Sequence, residues 1–268
     1  MQEMTFVCAD GGRLRYGTAG KGCPVVLIHG LGLDASMWDA QWPALQREFF
    51  AIRYDLRGFG ASTVPEAPYS HSDDLFGLLD FLGARPAHVI GLSFGGRLAL
   101  RFALDHPSAV KSLTLIDSAL EGHRWSGDWS QKMDCVLSAA RRGDSVSVRA
   151  AKQLWLAHDL FAPAQRNAKL AAALAAMVER YTAWHWWNAD PVRRSAVPTA
   201  KALATVRCPT LVLVGELDLP DFQAIARRLA AEIPRATLHT IAGAGHMANM
   251  EAPDAVNRRL LEHLRACP

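Results

Sequence analysis

Short apolar runs rich in β-branched residues recur at 25–28, 51–54, 88–90, 113–116, 211–214 and 237–241, with helical-period segments at 72–82, 95–105, 222–232 and 254–265 between most of them. A strand with no polar alternation has no face to offer water, so strands of this kind belong in a parallel sheet covered by helices on both sides. Ahead of this pattern, residues 4–8 and 13–18 flank the turn Asp10-Gly11-Gly12 and read as an antiparallel hairpin. The alternation lapses between about Leu120 and Leu203, where the chain is Ala-rich, holds most of the tryptophans and shows no readable strand. The expected organisation is an α/β core from 1–119 and 204–268, with 120–203 inserted as a helical cap. The tract 188–200, with Pro191 and Pro198, is the irregular return to the core.

Composition removes several classes of function. With 268 residues, 50% of them hydrophobic and 21% charged, the chain is globular and long enough for one full α/β core. The net charge of +3 is spread along the sequence, which leaves no basic patch for nucleic acid. No segment approaches the roughly 20 apolar residues of a membrane span, and residues 1–10 carry Glu3 without the basic and apolar regions of a leader, so a cytoplasmic protein is expected. Five cysteines in an odd count without CxxC spacing suggest reduced, mostly buried thiols rather than disulfides or a zinc site.

The chemistry concentrates at Gly91-Leu92-Ser93-Phe94-Gly95-Gly96, between a strand run and a helical run. A serine on so sharp a turn is lifted clear of the sheet, and side chains two residues away on either side would collide with the turn, hence Gly91 and Gly95. The Phe94 amide is left at a helix N-terminus, where peptide dipoles favour a developing oxyanion. A serine hydroxyl needs a base, and His246 in Gly243-Ala244-Gly245-His246-Met247 lies in a loop between the last strand run and the last helix. An acid to orient that base belongs after the preceding strand, where Asp218 is the first choice, with Glu216, Asp221 and Asp117 as competitors and a helix N-cap as the ordinary use of Asp221. The glycines of His29-Gly30-Leu31-Gly32 allow close backbone approach, and Leu31 is the second oxyanion donor expected there. His29 is expected to bond structurally.

Two other signals are weaker. Gly30-Leu31-Gly32-Leu33-Asp34-Ala35 formally fits a dinucleotide-binding turn with Asp55 at the ribose distance. A hairpin precedes it, however, and that reading leaves the Ser93 turn and the His246 loop without a purpose. The glycines between Gly17 and Gly22 lack the Lys-Ser/Thr pair of a phosphate loop. Neither a cofactor nor a metal is expected. Among the tryptophans of the insertion, Trp155, Trp184 and Trp187 are candidates for the substrate pocket.

Taken together, His29-Gly30 with Trp38 nine residues later, the run from Tyr54 to Ser62, the Ser93 turn, Gly215-Glu216-Leu217-Asp218 and Gly245-His246 resemble the α/β-hydrolase superfamily over nearly the whole chain outside the insertion. The resemblance implies a mostly parallel eight-stranded sheet with a helical cap, a Ser93, His246 and Asp218 triad, and the Leu31 and Phe94 amides as oxyanion hole. It also makes Arg57-Gly58-Phe59-Gly60 a structural loop. Ser93 in place of aspartate rules out the alkyl-enzyme chemistry of dehalogenases and epoxide hydrolases. The expected function is serine hydrolysis of a small, apolar ester or lactone, as in esterases and enol-lactonases. The alternatives are a carbon–carbon bond hydrolase of a dienoate or diketone, and a small-molecule receptor. The oligomeric state is not read from the sequence.

Overall fold

The structure is a computed structural model and describes residues 4–267. The first three positions of the N-terminal reading and of the unit 1–119, and residue 268 of the unit 204–268, lie outside the described residues. Eight strands form one sheet: β1 (Met4–Val7), β2 (Arg13–Ala19), β3 (Pro24–Ile28), β4 (Phe50–Tyr54), β5 (Ala87–Leu92), β6 (Val110–Ile116), β7 (Thr210–Gly215) and β8 (Ala236–Ile241), in the order β1-β2-β4-β3-β5-β6-β7-β8. β2 is antiparallel to both its neighbours, and every other pairing is parallel. The hairpin forms as expected, with Gly11 at φ 84 in its turn, a conformation that a side chain would resist.

β5 and β7 are buried at every position, the signature of a strand covered on both faces. Seven longer helices accompany the sheet: α1 (His71–Phe81), α2 (Phe94–Asp105), α3 (Gly127–Ala140), α4 (Ser145–Leu156), α5 (Ala168–Arg180), α6 (Pro220–Glu232) and α7 (Pro253–Arg265). α2 packs on β5 and β6, and α6 on β7 and β8. Among the described residues no helix is long and apolar enough to cross a membrane.

The regular elements of residues 120–203 are helices, as the lapse of alternation implies, with irregular connections between them and one isolated bridge from Val192 to Tyr69. Each of its three longer helices begins on a side-chain cap: Ser126 accepts from the Trp129 amide, Asp144 from Ser147, and Asn167 from Lys169 and Leu170. Such a cap contributes about 1 kcal/mol, so these helix starts are written locally. Contacts of several kinds tie the segment to the rest of the chain. The Asp221 carboxylate accepts from the Ser126 amide and hydroxyl and meets His123 at 3.1 Å. Arg180 pairs with Asp34 at 2.7 Å. Phe59 stacks on Tyr181 and His185, with centroids 4.8 and 4.4 Å away.

Two expectations need correction. Asp221 does not cap its own helix: Leu219 holds the N-cap position of α6, and the Asp221 carboxylate is spent on the start of α3. All five thiols are free, but only Cys8 is buried, and Cys135 is exposed. Hydrophobic strand neighbours take Cys8 into the core, whereas Cys135 lies on the outer side of α3.

Candidate active site

β5 ends at Leu92, and the chain reverses into α2 through Ser93 at φ 56, ψ −116, a backbone conformation that non-glycine residues seldom adopt. The turn is pinned to the end of β6, because Ser93 N–H donates to the Ile116 carbonyl at 3.0 Å and Ala119 N–H donates to the Ser93 carbonyl at 3.1 Å. A Cβ at Gly91 would overlap the Gly95 carbonyl, and one at Gly95 would overlap the carbonyls of Ile28 and His29. A serine at an N-cap ordinarily accepts a hydrogen bond from its own helix. Ser93 makes no such bond, and its hydroxyl remains available for other chemistry. The first amides of α2 have no acceptor within the helix, Phe94 N–H among them.

His246 lies after β8, only 2% exposed, and its Nδ1–H donates to both carboxylate oxygens of Asp218, at 3.1 and 3.0 Å. That donation puts the lone pair of the neutral ring on Nε2, which is buried and has no hydrogen-bond partner among the described residues. The loop is held by Glu251, whose carboxylate accepts from the amides of Gly245 and Met247 on either side of His246. The Phe222 ring packs against the imidazole at 4.2 Å. Neither Glu251 nor Phe222 is suggested by the sequence, since both act across loops and only the spacing of Glu251 from His246 hints at a link.

Ser93 and His246 line one small cavity of about 10 Å³, together with Leu31, Trp155 and Phe161. That volume is close to the least that admits a single water molecule. Leu31 also borders a larger neighbouring cavity of about 440 Å³, on which Phe94 opens as well. The structure therefore brings Ser93, His246, Asp218, Leu31, Phe94 and Trp155 to one place. Trp187 is not among them: it is 42% exposed and lies against Gly143. Trp184 lines neither cavity and meets the larger one only through the His185 ring, 5.0 Å away.

The competing acids have other employment. Glu216 accepts from the Gly243 amide at 2.8 Å. Asp117, at the end of β6 with φ 44, is fully buried; one oxygen accepts from Gly215 N–H at 2.7 Å, and the carboxyl lies against that of Asp218. Burial first, and then the nearby Asp218 charge, push the Asp117 carboxyl well above the usual carboxylate range. A carboxyl whose charge burial opposes in this way is a poorer partner for an imidazolium. His29 is bonded on both nitrogens, donating from Nδ1 to the Gly30 carbonyl and accepting at Nε2 from Leu56 N–H, and burial holds it neutral by lowering its pKa. The dinucleotide reading loses its ribose ligand, because the Asp55 carboxylate accepts from the amides of Ala35 and Ala61. Arg57 is buried between Asp74 and Asp10. Among the described residues, no group of three or more His, Cys, Asp or Glu side chains converges as metal ligands would.

A family model described as the alpha/beta hydrolase fold matches residues 24–253. A Caulobacter sp. (strain K31) protein provisionally named carbamate hydrolase RutD is 30% identical over 253 residues, 90% of each chain. Among solved structures, a thermophilic esterase from Thermogutta terrifontis superposes with a TM-score of 0.83 at 28% identity, covering 100% of this chain and 99% of its own. The enol-lactonase from Burkholderia xenovorans LB400 gives a TM-score of 0.78 at 26% identity, covering 98% of this chain and 100% of its own.

Proposed function

Because the chain belongs to the α/β-hydrolase family and is an enzyme of the hydrolase type, we propose that it cleaves a carboxylic ester or lactone of a small, largely apolar substrate through an acyl-enzyme on Ser93. The observation that carries the proposal is His246, its Nδ1–H shared between the two Asp218 oxygens and its free Nε2 buried beside the cavity that Ser93 lines. In the proposed reaction Nε2 takes the hydroxyl proton as Ser93 Oγ attacks the carbonyl carbon. The Asp218 carboxylate stabilises the resulting imidazolium. The tetrahedral oxyanion is held by the amides of Leu31 and Phe94, and it collapses as His246 gives its proton to the leaving oxygen. Water, deprotonated by the same nitrogen, then attacks the acyl carbon and releases the acid and free Ser93.

In this reading residues 120–203 are the cap. Trp155 and Phe161 close the cavity over Ser93, and excluding water strengthens the hydrogen bonds to the oxyanion. The names of an esterase and an enol-lactonase among the similar structures support ester or lactone chemistry.

The test is labelling by a fluorophosphonate probe together with turnover of short- and medium-chain p-nitrophenyl esters. Both are expected in the wild type and expected to be lost in Ser93→Ala and His246→Ala. An unlabelled wild type, or Ser93→Ala with near-full activity, would sink the mechanism. Faster turnover of a dienoate than of either ester would move the assignment to carbon–carbon bond cleavage by the same residues.

A further inference from the structure

The larger cavity is walled by four arginines and four carboxylates, which are not all paired with one another. Arg101 is held by Glu121 at 3.0 Å and Asp105 at 3.3 Å. Arg193 is held by Asp73 at 2.9 Å. Asp190 accepts from Val192 N–H at 3.2 Å and bonds the Tyr69 side chain. Arg97 is different. Among the described residues its guanidinium forms no ion pair or hydrogen bond, and it lies over the Phe94 ring with Cζ 4.6 Å from the centroid.

Its position on α2 is equally specific. Arg97 N–H donates to the Ser93 carbonyl at 3.0 Å, so Arg97 stands on the first turn of the helix that Ser93 begins. Leu31 and Phe94, the proposed oxyanion residues, border the cavity that Arg97 lines. A cation removed from bulk water without a partner is costly, and burial lowers the Arg97 pKa even though Glu121 and Asp190 stand nearby. A carboxylate entering this cavity would supply the planar, two-oxygen partner that a guanidinium fits best.

We infer that Arg97 is the specificity-determining residue for an anionic substituent, and that the preferred substrate is an ester or lactone bearing a free carboxylate on its acyl side. The inference rests on Ser93 being the nucleophile. Its geometry places the scissile carbonyl at the Leu31 and Phe94 amides and the carboxylate against Arg97, in the cavity of about 440 Å³.

The experiment compares mono-p-nitrophenyl glutarate with its neutral counterpart p-nitrophenyl valerate in the wild type, Arg97→Gln and Arg97→Lys, and measures glutarate binding by calorimetry in the same proteins. The wild type is expected to favour the anionic ester. In Arg97→Gln the ratio of kcat/KM for the anionic over the neutral ester should fall about 10- to 100-fold, the worth of a hydrogen bond to a charged group, with the change carried by KM. Arg97→Lys should recover part of the ratio, and the glutarate Kd should weaken in step. A wild type without preference for the anionic ester overturns the inference even if Arg97→Gln does not fold. So does an Arg97→Gln protein that keeps either the preference or the glutarate affinity. If neither ester is hydrolysed the Ser93 reading has failed, and glutarate binding alone then decides the subsite.

Discussion

At the scale of single residues the two aspartates at the sheet's edge are separated by environment. Asp218 reaches both its oxygens to His246, while Asp117 lies deeper, with one oxygen on Gly215 N–H and burial opposing its charge. In the sequence both stand just after a strand, and nothing in spacing distinguishes an ionised carboxylate from a protonated one. Asp218→Asn is expected to lower kcat roughly 10³–10⁴-fold, because an amide that donates to Nδ1 imposes the wrong tautomer. Asp117→Asn should lose far less, since Asp117 makes no hydrogen bond to His246 among the described residues and burial already opposes its charge. Ester kinetics on the two variants check this, and the opposite order would make Asp117 the orienting acid. The Ser93 turn, in contrast, was legible: only glycine fits where carbonyls of the turn itself and of the β3 end crowd positions 91 and 95.

At the scale of elements the helical segment is anchored by a few contacts of different kinds, and Trp155 on α4 is the one that faces Ser93. Its ring is 2% exposed and meets Phe161 and Trp186 edge-on at 5.3 and 6.1 Å. Trp155→Ala should destabilise the fold by about 3–5 kcal/mol, the usual cost of emptying a large aromatic site. It should also enlarge the cavity over Ser93 and broaden the acyl chains accepted. Urea unfolding and a chain-length series of p-nitrophenyl esters would check both, and a variant with wild-type stability and selectivity would remove Trp155 from the wall. That the segment is helical is readable from its capping residues and alanines. Which tryptophans face inward is not, because that depends on how α4 and the short helix Trp184–Trp187 are rotated against the core.

For the whole molecule, burial of histidines ties stability to pH. His88 on β5 meets Ser112 of β6 at 2.7 Å, and burial pushes its pKa down to about 4. The unfolded chain binds a proton there near pH 6.5, so this site's contribution is complete above about 6.5 and is lost as pH falls toward 4. The melting temperature should therefore drop less between pH 7 and pH 5 in His88→Gln than in the wild type, and an equal drop would exclude His88 from the effect. The sequence by itself determined the layered α/β architecture, the Ser93 turn and the order of the reactive residues along the chain. These follow from strand and helix periodicity and from local backbone sterics, which act over a few neighbours. Only the tertiary structure shows that Asp218 rather than Asp117 meets His246, that Trp155 rather than Trp187 lies over Ser93, and that Arg97 stands without an ion pair among the described residues in the cavity that Leu31 and Phe94 border. Burial, charge and orientation at those positions are set by residues distant in sequence, and they exist only once the sheet and the helical segment have packed together.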